Sequence, residues 1–309
     1  MAPVVVLAGG TGGAKLARGM LDVAGDELVV IANTGDDADA YGAHVSPDPD
    51  LVTFWLADRI DERGWGLRDD TFLVMDELRA LGSDVWFNLG DRDLAWCIER
   101  RRLLDAGETP TQALAALASA IGVRATVLPM CDEQVRTRVR ARGAWHGFQE
   151  FMVGERGAGP VEDVAFDGIE QARPSPAVLE AIAAARVIVI GPSNPVISIR
   201  PILSVPGMID ALRASAAPIV AVSPIVGGAV LKGPTEAFMD WAGLSLDAAG
   251  IAQAYGARAS GGLLDAILAD EAPAQLAVPV RVADTLMAGE AERRRVAADV
   301  LALAAEHAR

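Results

Sequence analysis

Val4-Val5-Val6-Leu7-Ala8-Gly9-Gly10-Thr11-Gly12-Gly13-Ala14-Lys15-Leu16 is the stretch whose reading decides the fold. A short, mostly β-branched run enters a glycine loop, after which Leu16, Met20 and Leu21 take up helical spacing, so the stretch predicts a buried strand, a tight loop and a helix. Glycines let backbone N–H groups approach a ligand, and the first turn of a helix leaves N–H donors unpaired with partial positive charge behind them. Gly10, Thr11, Gly12, Gly13 and Lys15 are therefore candidate phosphate-binding residues. The loop matches neither common nucleotide fingerprint. From Gly10, G-x-G-x-x-G needs glycine where Lys15 stands; from Gly9, a Walker loop needs glycine at Ala14 and a hydroxyl residue at Leu16. The plainer alternative is a glycine turn that packs strand on helix and binds nothing.

Outward from this stretch the pattern repeats. Apolar strands are predicted at Leu28 to Ala32, Thr126 to Pro129, Val187 to Ile190, Ile219 to Val222, within Gly262 to Leu268 and at Val280 to Val282. Helical segments lie between them, so the fold class is α/β: a Rossmann-like, mostly parallel sheet with helices on both faces, read as one domain over residues 1–309. Val85 to Asn88 reads as a further strand with Leu89-Gly90-Asp91-Arg92-Asp93 as its loop, and a helix is expected to start at Leu51 with Asp50 as an alternative N-cap. From about 134 to 172, short segments broken by glycines predict a small β-rich insertion. Within it Arg136, Arg138, Arg140 and Arg142 alternate with apolar residues, the pattern of a solvated edge strand or of a phosphate-binding face.

Composition excludes several classes. A formal net charge of −15 argues against general nucleic-acid binding and means that an anionic substrate needs local cations, backbone amides or a metal. No run of about eighteen apolar residues exists, so no membrane span is expected. The N-terminus has no basic and apolar leader, and the two cysteines, Cys97 and Cys131, lack metal-site spacing; a reducing cytoplasm fits both.

The chemistry concentrates in loops after strands, where open α/β sheets bind ligands. Asn33-Thr34-Gly35-Asp36-Asp37-Ala38-Asp39 follows the second strand and leads to Ser46-Pro47-Asp48-Pro49-Asp50. Two carboxylates forced to about 4 Å repel by roughly 4 kcal/mol at an effective dielectric of 20 unless protonated or bridged by a cation. With phosphate nearby Mg²⁺ is the expected bridge, held by Asp48 with Asp36 or Asp37, whereas the bland alternative is a solvated acidic loop. Ser193 and Asn194, in a proline-flanked loop after a later strand, and Lys232 are candidates for holding a nucleotide. Arg92 is a candidate for phosphate or carbonyl binding, or an ion-pair partner of Asp91 or Asp93.

These stretches, with Leu128-Pro129-Met130, Ser223-Pro224-Ile225 and Ala283-Asp284-Thr285-Leu286-Met287, occur in the order in which they occur in the 2-phospho-lactate transferases of coenzyme F-420 biosynthesis, which the chain resembles over nearly its whole length. The resemblance implies transfer of a phospho-enolpyruvyl or phospho-lactyl group from a guanosine diphosphate-linked donor to the ribityl hydroxyl of the deazaflavin Fo, releasing GMP, with Mg²⁺, and a homodimer. It implies Fo contacts at Asp50 and, where the family often has a basic residue, at Asn88; the matching stretches add Asn33, Thr34, Asp91, Arg92 and Met130. Asp48 and Asp50 are the expected catalytic carboxylates, Asp50 orienting or deprotonating the attacking hydroxyl. The rivals are a nicotinamide-dependent dehydrogenase, disfavoured because Asn33-Thr34 stands where an acidic ribose ligand is needed, and a non-enzymatic nucleotide-sugar-binding regulator with the same core.

Overall fold

The computed structural model describes residues 2–157, 159–230, 233–273 and 276–308. Seven parallel strands lie side by side in the order Val280–Val282, Ala266–Ala269, Ile219–Val222, Val187–Ile190, Val4–Ala8, Leu28–Ala32, Thr126–Pro129. Val4–Ala8 pairs on one side with Leu28–Ala32 and on the other with Val187–Ile190, so chain order reverses across the first strand. A reversal of this kind marks, at the carboxyl ends of the strands, the crevice where doubly wound sheets bind ligands.

The unbroken apolar reading of the strands has a direct cause. Val4, Val6 and Ala8 pack against Leu16 and Met20 of α1 (Gly10–Ala24) and against Val296 and Val300 of the C-terminal helix Glu290–Glu306. Val5 and Leu7 face the opposite layer with Val178, Ile182, Leu212 and Ile251. Both faces are dry, so alternation disappears. Each fully buried Leu, Val, Ile or Met contributes about 1.5–3 kcal/mol over exposure, which holds the two helical layers on the sheet.

Four sequence expectations change. Helix α2 spans Pro47–Leu56, starting before Leu51, with Ser46 at the N-cap position and proline at the first helical position, so Asp48 and Asp50 lie in its first turn and Asp50 is no cap. Val85 to Asn88 is not a strand: Phe87 N–H donates to the Tyr41 hydroxyl at 2.9 Å, Trp86 and Phe87 stack on each other, and the sheet place beside Leu28–Ala32 belongs to Thr126–Pro129. Asp91, Arg92 and Asp93 are not in a strand-end loop but in the first turn of α4 (Asp91–Asp105), while α3 (Leu73–Ala80) precedes them. The arginine-rich strand Arg136–Ala141 is not an edge but the centre of a three-stranded antiparallel sheet between Ala144–Gly147 and Asp163–Asp167. Its arginines, and Arg142 in the turn after it, meet acids: Arg136 with Asp39, Arg138 with Asp167, Arg140 with Glu162 and Arg142 with Glu155. This sheet, within the span read as a β-rich insertion, has a small core of its own in Val139, Phe148 and Phe151, closed by Val196, Ile197 and Phe238.

Candidate active site in the crevice

The glycine loop packs more closely than its sequence alone requires. A Cβ at Gly12 would fall inside the van der Waals sphere of the Pro192 carbonyl oxygen, and one at Gly9 would lie 2.6 Å from Ser198 Cβ and 2.8 Å from Asp48 Oδ2. The loop joins the first strand to the segment after Val187–Ile190. Ser193 fastens that junction, its hydroxyl donating to Gly9 O at 2.6 Å and lying 3.3 Å from Gly9 N. Asn194 caps the π-helical turn Pro195–Ile199, accepting from Val196 N and Ile197 N, and its amide donates to Thr235 Oγ1 at 3.3 Å. Both side chains are buried and engaged within the protein.

Asp48 stands at the mouth of α1. Its Oδ1 accepts from Gly10 N at 2.6 Å and its Oδ2 from Asn33 Nδ2 at 2.9 Å. A carboxylate thus occupies the first N–H donor of the helix, where a dinucleotide-binding loop holds pyrophosphate. The amides that follow, Thr11 and Gly12, lie in the same first turn, whose N–H groups have no carbonyl one turn back. Asn33 is fully buried and sets the geometry, since its Oδ1 accepts from Gly35 N at 2.8 Å and thereby turns its amide toward Asp48.

Asp36 is the second carboxylate at this place. Burial, then the charge of Asp48, hold its carboxyl well above the usual range, and burial pushes Asp48 up to about 6 against the pull of the Gly10 N–H and the Asn33 amide. Asp36 Oδ1 is buried without a hydrogen-bond partner, as are the hydroxyls of Thr34 and of Thr137, the latter brought in by the insertion through Thr137 N donating to Gly35 O at 2.7 Å. Two mutually repelling, buried carboxylates with an unsatisfied oxygen suit a hard divalent cation. Asp37 is turned elsewhere, to Ser46 Oγ at 2.7 Å and His44 Nε2 at 3.1 Å.

Asp50 is also buried, among partners the sequence did not predict. Trp96 Nε1–H donates to its Oδ1 at 2.7 Å, Arg100 Nη1 donates to Oδ2 at 3.0 Å, and Arg100 Nη2 pairs with Oδ1. Asp93 lies on the same face of α4. Among the described residues, Asp50, Asp93 and Cys97 are the three acid or thiol groups whose ligand atoms approach within 4.8 Å of one another, but the Arg100 cation already serves Asp50. Burial, then the charges of Asp50 and Asp70, push the Asp93 carboxyl up to about 7. The folded state therefore favours protonated Asp93, and this contribution, complete below the ordinary carboxylate range, is lost as pH rises through about 7. Asp93→Asn, which imitates the neutral acid, is expected to gain stability over the parent between pH 5 and pH 8 by on the order of 2 kcal/mol, read by urea titration. An equal difference at both pH values would contradict this.

The other sequence candidates have structural partners. Asp91 and Asp70 cap each other's helices: Asp91 accepts from Leu73 N and Val74 N of α3, and Asp70 from Arg92 N and Asp93 N of α4. The Arg92 guanidinium donates to Arg68 O, exposed Asn88 accepts from Arg79, and Lys15 Nζ donates to Met287 O at 3.1 Å. Met130 is fully buried in the core, and Lys232 lies outside the described residues. Trp96, Arg100, Ser198 and Thr137 went unpredicted. Arg100 carried a usable signal, a cation at i+4 from Trp96 and i+7 from Asp93 on one helix face, but nothing local tied that face to Asp50.

The chain as a whole is similar to known proteins. A phosphoenolpyruvate transferase of Streptomyces coelicolor is 42% identical over 291 residues, covering 92% of this chain and 90% of its own. A 2-phospho-L-lactate transferase of Methanosarcina mazei is 39% identical over 255 residues, covering 82% of this chain and 83% of its own. A solved structure from Bacillus halodurans, described as a member of the UPF0052 family, shares the fold with a TM-score of 0.64 at 17% identity, covering 97% of this chain and 99% of its own. The model of the family described as 2-phospho-L-lactate transferase CofD matches residues 4–306, and the chain belongs to that family.

Proposed function

We propose that the protein transfers a phosphoenolpyruvyl or 2-phospholactyl group from a guanosine diphosphate-linked donor to the ribityl hydroxyl of the deazaflavin Fo, releasing GMP, in coenzyme F-420 biosynthesis. The observation that carries this reading is Asp48, with Asp36 beside it, at the mouth of α1. A carboxylate there repels a bare diphosphate. The reading accordingly includes Mg²⁺, with Asp36 and Asp48 as the groups that would hold it; bound there, it would neutralise the donor's phosphoryl oxygens.

The chain's own groups then position the reactants. The Thr11 and Gly12 amides receive a donor phosphate oxygen, and Asn33 holds Asp48 in the rotamer that faces the crevice. Asp50 Oδ2, with a lone pair beyond the one taken by Arg100, accepts the hydrogen of the acceptor hydroxyl. The hydroxyl oxygen attacks the phosphorus bearing the enolpyruvyl or lactyl group as its proton passes to Asp50, the bond from that phosphorus to the guanylyl phosphate oxygen breaks, GMP leaves, and Asp50 then returns the proton to water. Positioning and charge neutralisation suffice for such a step. A dehydrogenase is disfavoured: the position that would hold a ribose is Asn33, buried and committed to Asp48. No single helix among the described residues is long and apolar enough to cross a membrane. The relatives' two names leave two donors to compare.

The decisive experiment incubates the protein and Mg²⁺ with Fo and each guanylylated donor in turn, and identifies products by mass. The expected result is GMP with a phosphoenolpyruvyl or phospholactyl adduct of Fo, dependent on Mg²⁺. Absence of adduct with both donors, together with binding of a UDP-sugar, would overturn the reading in favour of a regulator.

A further inference from the structure

Trp96 and Arg100 stand one turn apart on α4, and both are buried against Asp50 in the first turn of α2. Arg100 Nη1 also donates to His44 O at 3.0 Å, which ties the guanidinium to the hairpin strand Ala43–Val45. Bringing an arginine and an aspartate out of water is costly, and replacing such pairs by apolar residues is often neutral or stabilising. Stability alone therefore does not explain this pair. Its geometric consequence is orientation: three hydrogen bonds from two side chains on one helix prevent the carboxylate from rotating and leave acceptor capacity on one edge of Oδ2. We propose that Arg100 is the positioning residue of the transfer, acting through Asp50, with Trp96 as the second anchor. The proposal rests on the reading of Asp50 as the group that receives the acceptor hydroxyl.

A double-mutant cycle on the full chain tests it, with Asp50→Asn, Arg100→Met and the two combined, each checked for a cooperative melt. Arg100→Met is expected to lower kcat about 100-fold with the donor KM unchanged, because misplacement of a reacting group by about 1 Å costs that much. The double variant should be no slower than Asp50→Asn, since Arg100 acts through a group already disabled. Arg100→Lys, which keeps the charge, should recover at least about tenfold of the loss, and it serves as the readout if Arg100→Met does not fold. Losses that multiply, or full turnover in Arg100→Met beside an inactive Asp50→Asn, overturn the role of Arg100 alone. Full turnover in Asp50→Asn overturns the reading of Asp50 and this proposal with it.

Discussion

Asp48→Asn is expected to lower turnover about 10²- to 10³-fold, the loss typical of removing one group that stabilises transition-state charge. The substitution preserves shape and removes the charge, together with one hydrogen bond. The asparagine carbonyl oxygen can still accept from Gly10 N, but its NH₂ then faces the Asn33 NH₂, which now donates to Asp48 at 2.9 Å. Asn33 cannot turn over without losing the bond from Gly35 N. This conflict leaves buried donors facing each other and should cost about 1–3 kcal/mol of stability, which a urea titration separates from the kinetic loss. In the proposed reaction the variant should also need more Mg²⁺ for half-maximal rate, measured by titrating the metal at saturating donor. Wild-type turnover with unchanged Mg²⁺ dependence would remove Asp48 from the metal-holding role.

Asp50→Ala has the second large effect, and it acts on folding as well as on turnover. It leaves Arg100 buried without its counter-charge, which costs about 3–5 kcal/mol. The urea midpoint should fall accordingly. Adding Arg100→Met should restore much of this stability, because the uncompensated charge is gone, while turnover stays low. A single variant as stable as the parent would mean that the buried pair contributes nothing. The opposite responses of stability and turnover separate the structural part of the pair from its part in the proposed reaction.

Much of the architecture was legible from local pattern. The opening run and the strands Leu28–Ala32, Thr126–Pro129 and Val187–Ile190 all follow from signals within a few residues. Two of the misreadings share a cause. Val85 to Asn88 has strand-like residues, yet its Phe87 N–H is taken by a tyrosine 46 positions earlier, and that is not visible in any window. The arginine-rich strand looked like an edge because alternating charge marks an edge unless acids stand opposite, and those acids arrive from strands and loops distant in the chain.

The site divides the same way. That polar, acidic loops follow the first, second and fourth sheet strands, the sequence by itself determined, because loop chemistry and strand pattern are local. Which carboxylates meet was decided by tertiary structure. Asp36 and Asp48 come together, Asp37 turns to Ser46 and His44, and Asp50 is clasped by Trp96 and Arg100 from 46 and 50 residues away. The glycine loop kept its place at the crevice, but its first amide went to Asp48. A side chain's partner depends on how two helices and a sheet edge pack, and the energy of that packing is spread over residues that carry no site chemistry themselves.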